Sequence, residues 1–272
     1  MDNVITPAKK SSRGIETCPT NNKQIARGTC INCNWKKLCL PIALNPQELS
    51  RFDKMITVRR KLRRNEALFQ NGDDFAGLYA IRSGFFKTST ALELGREQVT
   101  GFRMPGEILG LDGIVNDHHS CNVVALQDAE VCLLPLDRIA QRSPLVKKLQ
   151  HHIHRIMGRE IVRAQQAMLM LGSMRADERL AVFLLDFVER LHAHGFSRTE
   201  VILQMTRTDI GSYLGLKLET VSRIFARLIE KDLLEVKQRH IHILDPVALV
   251  QSISQPQGLR ADRCLLVSSS AR

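Results

Sequence analysis

The sequence predicts an α+β protein in three parts: an N-terminal β jelly roll, a long helix and a C-terminal winged helix-turn-helix. Three observations support this fold class. Glycines concentrate between residues 65 and 115, where they separate short apolar segments. Apolar residues then follow helical spacing across residues 136–174. Residues 175–250 have the pattern helix, helix, helix, hairpin, which is typical of a winged helix-turn-helix.

The composition fits a folded protein of about two domains. The chain has 272 residues, of which 44% are hydrophobic, so a sizeable core is expected. No apolar run approaches the roughly 18 residues of a membrane span, and the N-terminus lacks the apolar core of a signal peptide. We therefore expect a cytoplasmic protein whose cysteines serve as ligands or remain reduced. Their odd number, seven, also fits a full set of disulfides poorly.

The net charge of +11 is distributed unevenly. Residues 1–64 hold 14 Lys and Arg against 4 Asp and Glu, a balance of +10, whereas residues 175–250 hold 11 against 11. The positive excess therefore surrounds the N-terminal cysteines and not the candidate DNA-binding region. DNA binding must be argued from local pattern and not from total charge.

We expect residues 30–135 to form the first ordered unit. A flexible arm (1–29) precedes this unit, and residues 251–272 form a disordered tail. Eight of the 16 glycines fall within residues 65–115. The segments between the turn signals are short and rich in apolar or β-branched residues, and they include 78–81, 85–90, 98–102, 122–126 and 129–134. Many short strands at even spacing indicate a jelly roll or a similar barrel.

Residues 136–174 change character, because glycines become rare and helix-forming residues dominate. A seam with 4-3-4-3 spacing, typical of paired helices, comprises Met157, Ile161, Ala164, Met168 and Leu171. Ile153 and Ile156 fall on another side, toward the barrel. We expect such a helix to pack on its own domain and to pair with a second copy of the chain. A single buried helix is the alternative.

The segment 206–228 has the pattern of a helix-turn-helix. Glu219, Ser222 and Arg223 share one outward face near the start of the second helix, which is the part that meets base edges. Arg223 can donate two hydrogen bonds to guanine, and Glu219 can accept one from cytosine. Thr208 and Lys217 complete the candidate DNA contacts. An ordinary helical hairpin with a solvated face is the alternative. Gly215 allows the tight turn, and the expected inward positions are Ile210, Leu214, Val221, Phe225 and Leu228.

Three cysteines with the spacing C-x2-C-x5-C, Cys30, Cys33 and Cys39, offer soft ligands within ten residues. Thiolate sulfur suits Zn²⁺ or an iron–sulfur cluster, and either site needs a fourth ligand. The residues alone leave this ligand open. The candidates are Cys132, Cys18, Cys121 and Cys264, although a cysteine in an apolar strand, such as Cys132, is often only a small hydrophobic residue.

Basic residues flank the three cysteines: Lys23, Arg27, Lys36 and Lys37. They would offset the negative charge of a cubane bound by four thiolates. A solvated basic arm that touches DNA phosphates explains the same residues equally well.

These residues resemble the Fnr-type oxygen-sensing regulators of the superfamily named with the cyclic-AMP receptor protein, over roughly residues 28–250. The cysteine spacing looks like the cluster motif of that family, and Cys132 within 130–135 looks like its distant fourth ligand. Segments similar to its barrel strands and DNA reader are 79–84, 100–102, 206–216 and 219–223.

The resemblance implies an N-terminal domain of the cyclic-nucleotide-binding type and a [4Fe–4S] cluster held by Cys30, Cys33, Cys39 and Cys132. It further implies that the cluster, intact without oxygen, favours a homodimer through the long helix. The dimer would bind double-stranded DNA at palindromes with half-sites like TTGAT, and would contact RNA polymerase. Oxygen would convert or destroy the cluster, and DNA affinity would fall.

The chain departs from the cyclic-nucleotide-binding members of this superfamily, which hold the ligand phosphate with an Arg-Ser pair. The corresponding stretch, 119–122, contains no arginine, although Gly106 and Glu107 are kept. We therefore expect no cyclic nucleotide. The sequence also contains no recognisable catalytic set, so we do not expect an enzyme. The alternative function is a small-ligand-binding regulator of the same fold with a structural zinc site.

Overall fold

The computed structural model describes residues 30–35, 39, 41, 44–56, 58–91, 96–135 and 144–251. The predicted fold class is confirmed, because a strand-rich half is followed by a long helix and a smaller helical unit that ends in a hairpin. The predicted arm and nearly all of the predicted tail lie outside the described residues. No helix in these ranges is long and apolar enough to cross a lipid bilayer.

The N-terminal half contains two four-stranded antiparallel sheets. Its strands within the described residues are β1 (Val58–Leu62), β2 (Ala67–Phe69), β3 (Gly77–Ser83), β4 (Phe86–Ala91), β5 (Glu97–Arg103), β6 (Ile108–Leu109), β7 (Asn122–Ala125) and β8 (Ala129–Pro135). One sheet has the order β1-β8-β3-β6, and the other has the order β2-β7-β4-β5. Buried residues from both sheets, among them Phe86, Val123 and Val131, form a shared core. This is the predicted β roll.

A helix that the sequence analysis does not identify, α1 (Pro46–Met55), precedes β1. The side chain of Asn45 accepts the backbone N–H of Glu48 at 2.8 Å, and the Glu48 carboxylate accepts the N–H of Asn45 at 3.0 Å. This reciprocal capping box sets where the helix begins. Leu49 and Phe52, on its apolar face, belong to the same buried cluster as Cys30 and Cys132. Helix α1 therefore helps to bury the cysteine region.

The long helix α2 (Pro144–Ser173) has 30 residues and lies within the predicted range 136–174. Its first turns are anchored to the β roll, because Leu145, Val146, Leu149 and Ile153 are buried in the cluster that contains Cys30 and Cys132. Past this anchor, most of the residues on α2 are exposed or half-buried.

The C-terminal unit contains helices α3 (Ala176–Ala193), α4 (Arg207–Leu214), α5 (Leu218–Glu230) and α6 (Pro246–Gln251) and strands β9 (Glu200–Ile202), β10 (Leu234–Lys237) and β11 (His240–Ile243). Strands β10 and β11 form the predicted hairpin. Strand β9 extends it to a three-stranded sheet with the order β10-β11-β9, which the sequence analysis does not anticipate.

The β roll and the C-terminal unit share one hydrophobic cluster. Val99, Phe102 and Met104 of the roll are buried together with Phe183 and Phe187 of α3. The ring centroids of Phe102 and Phe183 are 5.8 Å apart, in an edge-on arrangement that favours aromatic pairs. The two parts that the sequence separates are thus packed directly against each other.

An ionic network crosses the same interface and is centred on Glu107. Nη2 of Arg190 in α3 lies 3.0 Å from both carboxylate oxygens of Glu107, and Arg163 of α2 lies 3.3 Å from one of them. Glu160 joins the network through Arg103 at 2.7 Å and Arg163 at 2.9 Å. Burial alone would raise the pKa of Glu107, but the charges of Arg190, Arg163 and Arg103 outweigh it and lower this pKa to about 2.

Replacing Glu107 by Gln should lower the free energy of unfolding by about 3 kcal/mol, because the buried Arg190 loses the closer of its two carboxylate partners and Arg163 keeps only Glu160. Chemical denaturation would measure the loss. The sign of the pH dependence follows from the lowered pKa: Glu107 stabilises the fold above its usual pKa of 4.5, and this contribution is lost as the pH falls toward 2. The variant should therefore lose less stability than the parent over that range.

Glu235→Gln is the matched control, because its ion pair with Lys237 lies on the surface, with 48% and 77% of the two side chains exposed. We expect a change below about 1 kcal/mol for it. Equal losses for the two variants would contradict the central role of Glu107.

Candidate functional sites

The turn between α4 and α5 has the geometry of a helix-turn-helix. Thr206 caps α4 by accepting the N–H of Asp209, whose carboxylate accepts the N–H of Thr206. Gly215 ends α4 in the left-handed region, with φ of 65°. Gly211 is required by close approach, since a Cβ there would lie 2.6 Å from the carbonyl oxygen of Leu216. All five positions predicted to face inward, Ile210, Leu214, Val221, Phe225 and Leu228, are buried.

The predicted DNA contacts lie on the outer surface of these helices. Thr208, Lys217, Glu219 and Arg223 are exposed, and Ser222 is half-buried. Their side chains leave the start of α5 open to a partner. This arrangement matches a recognition helix that presents its N-terminal part to a DNA groove.

Arg207, at the first position of α4, is a neighbour of this face that the sequence analysis misses. Its guanidinium carbon lies 5.0 Å from the ring centroid of Phe225, and Nη1 lies 3.4 Å from the Ser222 hydroxyl. Arg207 therefore adds positive charge beside the recognition helix. A helix-capping pattern identifies the position, but only the fold brings it next to Ser222.

The β roll contacts α4, the first helix of the helix-turn-helix, through several hydrogen bonds and an ion pair. Lys87 pairs with Asp209 at 3.1 Å, and the backbone N–H of Val99 donates to the Ser212 hydroxyl at 2.9 Å. The side chain of Gln98 also donates to the Ser212 carbonyl oxygen. The orientation of the helix-turn-helix is thus tied to strands β4 and β5.

The four predicted ligands line one cavity. Cys30, Cys33 and Cys39 approach it from the N-terminal segment, and Cys132 approaches it from β8. The wall is otherwise largely apolar and includes Phe52 and Leu134. In the antiparallel register of the sheet, Cys132 faces Arg59 of β1 on one side and Ala80 of β3 on the other.

The remaining candidates for the fourth ligand do not line this cavity. Cys121 lines a different cavity in the roll, where its thiol donates to Asp112 at 3.4 Å. Burial, followed by the charge of Asp112, raises the pKa of Cys121 to about 12. Cys18 and Cys264 lie outside the described residues.

Two cysteines of the shared cavity, Cys30 and Cys132, have a raised pKa, which favours the thiol form. Burial is the main cause that raises the pKa of Cys30, and the neighbouring Asp53 and Cys132 raise it further. Burial also raises the pKa of Cys132, although Arg59 opposes this shift. Such closely placed thiols ionise readily only when a cation compensates the charge.

The donor set fits an iron–sulfur cluster in number and chemistry, because four thiols converge on one apolar cavity. In the described part of the chain, no three Cys, His, Asp or Glu side chains are arranged to hold one metal ion. The cavity has a volume of about 30 Å³, enough for a water molecule or two. Binding a cubane therefore requires the cavity to widen and the thiols to lose their protons.

Among the described residues, two arginines supply positive charge beside the cavity. Arg59 and Arg82 are the cations that act on Cys132. The predicted compensating residues Lys23, Arg27, Lys36 and Lys37 lie outside the described residues. Arg59 and Arg82 are distant from three of the cysteines in sequence and are brought close by strand pairing.

Comparisons with known proteins match both halves of the chain. Residues 59–142 match the cyclic nucleotide-binding domain family, and residues 178–252 match the Crp-like helix-turn-helix domain family. Over 220 residues, covering 81% of this chain and 90% of the relative, the chain is 40% identical to the transcriptional activator protein Anr of Pseudomonas protegens. The chain belongs to the Crp/Fnr superfamily of transcription regulators.

Other Crp/Fnr members support the same assignment. The anaerobic regulatory protein of Pasteurella multocida is 42% identical over 222 residues, covering 82% of this chain and 81% of the relative. The structure of FixK2 from Bradyrhizobium japonicum is similar with a TM-score of 0.67 and 27% identity, covering 73% of this chain and 98% of that one. The protein is therefore a DNA-binding transcription regulator, and the expectation that it is not an enzyme is confirmed.

The charged residues of the β-roll cavity of this Crp/Fnr protein are largely paired within the chain. Among the described residues that line it, Arg103 is the only cation, and Glu160 pairs with it at 2.7 Å. Asp112 adds a negative charge to the same wall. The Glu107 carboxylate, next to the kept Gly106, is already engaged by Arg190 and Arg163.

The predicted seam on α2 is largely exposed in the single chain. Ile161 is 60% exposed and Met168 is 69% exposed, and Ala164 and Leu171 lie on the same exposed surface. Met157 differs, because it is half-buried and packs against the cluster that contains Cys30 and Cys132. The seam therefore leaves an apolar stripe exposed on α2, from Ile161 to Leu171.

Trp35, between the second and third cysteines, touches the C-terminal unit. Its ring stacks on Phe196 with centroids 6.2 Å apart and an interplanar angle of 24°. It also lies 5.5 Å from the ring centroid of His194. The segment that carries the cysteines is therefore in direct contact with the end of α3, which the sequence analysis does not anticipate.

Proposed function

We propose that this protein is an oxygen-responsive transcription regulator. It binds a [4Fe–4S] cluster through Cys30, Cys33, Cys39 and Cys132, and the cluster promotes a DNA-binding homodimer at low oxygen. Residues 30–135 act as the sensory domain, 136–174 as the dimerisation helix and 175–250 as the DNA-binding domain. The dimer activates or represses genes of anaerobic metabolism.

The shared cavity is the observation that carries the proposal. The four thiols come from two segments about ninety residues apart and meet in an apolar, largely buried pocket. Such a set is the usual ligand set of a cubane. The relatives' names add support, because one is called an anaerobic regulatory protein and others a transcriptional activator Anr or FnrA.

When bound, the cluster would supply an oxygen-labile centre whose net charge with four thiolates is negative. The chain's own residues would do the rest. Cys132 would tie the N-terminal cysteine segment to β8, and α1 would exclude water through Leu49 and Phe52. Loss of this tie would change the packing of Cys30 beside the first turns of α2. A shift of ~3 kcal/mol in the dimer equilibrium would already exceed a hundredfold in affinity.

On DNA, the exposed face of α5 would read palindromic sites with TTGAT-type half-sites. Arg223 would donate to guanine, Glu219 would accept from cytosine, and Ser222 would contact a base or a phosphate. Thr208 and Lys217 would bind the backbone, and the bound dimer would contact RNA polymerase. No cyclic nucleotide takes part, since Glu107 and Arg103 are already paired within the protein.

The test begins with protein purified without air. We expect a brown protein with the broad visible absorbance of a cubane, which binds a TTGAT palindrome and loses at least tenfold in DNA affinity when oxygen is admitted. Replacing Cys132 by Ser should abolish the absorbance. Cys121→Ser is the matched control and should keep it, because its side chain lies in the other cavity.

Two results would defeat the proposal. One is a colourless protein that contains one zinc ion per chain and whose DNA affinity ignores oxygen, which would favour the alternative regulator with a structural zinc site. The other is a coloured protein whose absorbance survives loss of Cys132.

The dimer is expected to form along Met157, Ile161, Ala164, Met168 and Leu171. Ile161→Glu should weaken dimerisation on the order of a hundredfold or more. It removes about 1.5–3 kcal/mol of apolar burial in each chain and places two negative charges near each other in the interface. Sedimentation velocity of the cluster-loaded protein measures this change. Arg159→Gln, which changes the net charge equally at an exposed position off the seam, should leave the dimer intact. An unchanged dimer in Ile161→Glu would exclude this seam.

A further inference from the structure

Asp53 and Arg59 form a partly buried ion pair at the edge of the cysteine cavity. The Arg59 guanidinium lies 2.8 Å from Asp53 Oδ1, with 13% and 21% of the two side chains exposed. The same carboxylate oxygen accepts the backbone N–H of Cys30 at 2.9 Å. One carboxylate therefore fixes both an arginine of β1 and the first cysteine of the N-terminal segment.

Arg59 also reaches the cysteine of the other segment. It lies directly opposite Cys132 in the pairing of β1 with β8, and its positive charge opposes the rise in the pKa of Cys132. Its Nε is buried without a hydrogen-bond partner among the described residues. Two hydrogen bonds, from Cys30 to Asp53 and from Arg59 to Asp53, and the strand pairing of Arg59 with Cys132 thus connect the two halves of the ligand set.

Stability alone is a weak reason for this pair, because a buried ion pair seldom stabilises a fold more than apolar residues of the same volume. A hydrogen-bond donor beside a sulfur ligand has a better-defined effect, which is on the reduction potential of the cluster. Positive charge and N–H donors near cluster sulfur favour the reduced state, and residues behind the ligands hold them in place.

We propose that Asp53 and Arg59 are positioning residues of the cysteine site, which hold Cys30 against Cys132 and set the charge next to the cluster. This inference rests on the proposed cluster. It predicts that the two members of the pair shift the reduction potential in opposite directions, since one adds positive charge at the site and the other offsets it.

The experiment compares reconstituted, cluster-loaded variants by spectroelectrochemistry. Arg59→Met should shift the midpoint potential to more negative values and should lose iron to a chelator at least about tenfold faster. Asp53→Asn keeps an oxygen that can accept the Cys30 N–H but removes the counter-charge, so its potential should shift to more positive values. Arg59→Lys, which keeps the charge, should remain near the parent.

Arg60→Met is the matched control. Arg60 neighbours Arg59 in β1 but points to Glu66 and the Leu68 carbonyl oxygen, so its loss should leave the potential unchanged. If Arg59→Met does not hold a cluster, Asp53→Asn and Arg59→Lys decide the question. Shifts in the same direction, or none, would overturn the inference. A parent protein that binds no cluster would instead defeat the proposed function.

A different observation, the contact of Trp35 with His194 and Phe196, carries a second inference. Nδ1 of His194 lies 2.6 Å from the carbonyl oxygen of Arg190, the residue that pairs with Glu107. The cysteine segment therefore touches α3 one turn from the ionic network. We infer that Trp35 transmits the state of the cysteine segment to the DNA-binding unit directly, in addition to any effect through α2.

The size of this coupling is bounded by the contact itself. An aromatic pair contributes about 0.5–1.5 kcal/mol beyond its buried area, so the contact can change the DNA affinity by up to about tenfold. Coupling requires that the contact differ between the two states. Trp35 also lines the small cysteine cavity, so widening of this cavity around a cluster would move Trp35 relative to Phe196.

Trp35 is the only tryptophan of the chain, so its fluorescence reports this contact. Phe196→Leu should shift the emission of the cluster-free protein to longer wavelength, and an unchanged spectrum would overturn the contact. In loaded protein, Trp35→Leu and Phe196→Leu should each keep the visible absorbance but reduce the oxygen-dependent change in DNA affinity about threefold or more, and the double variant should lose no more than either one.

Phe196 lies outside the cysteine cavity, so its variant decides the question if Trp35→Leu impairs loading. An oxygen response equal to that of the parent in Phe196→Leu would overturn the inference. A parent protein without any oxygen response would count against the proposed function and not against the contact.

Discussion

The Glu107 carboxylate accepts hydrogen bonds from arginines on two helices, one on α2 and one on α3. Because Glu107 belongs to the β roll, this one side chain fixes three parts of the molecule at a common point. The shared aromatic cluster of Phe102 and Phe183 supplies the apolar contact around it. The position of the helix-turn-helix therefore depends on its contacts with the roll, and a change in the roll could move it.

The same ion pairs bear on ligand binding in the β roll. Glu107 is paired with Arg190 and Arg163, and Arg103 is paired with Glu160. A ligand that used Glu107 or Arg103 would therefore have to compete with contacts already made within the protein. The cysteine cavity is a separate place in the roll, lined by Cys30, Cys33, Cys39 and Cys132.

Local sequence patterns predict the elements that depend only on neighbouring residues. Glycine-separated strands, the buried positions of α4 and α5 and the exposed seam of α2 follow from turn chemistry and apolar periodicity. Strand β9 and helix α1 were missed, because β9 has only three residues and α1 is short and polar on most of its surface. The convergence of Cys132 with the N-terminal cysteines was implied only by resemblance, since pairing across ninety residues leaves no local signal.

The same limit explains why the sequence did not identify Arg59. Sequence proximity favours Lys36 and Lys37, which lie outside the described residues, whereas antiparallel pairing of β1 with β8 brings Arg59 to Cys132. Strand register is a long-range property, and the role of a residue on a strand depends on the partner opposite it. The same holds for Trp35. It lies between two cysteines in the sequence, but its ring packs on His194 and Phe196, just after the end of α3. The cysteine segment thus contacts two helices: the start of α2, through the buried cluster that contains Cys30, and the end of α3, through Trp35.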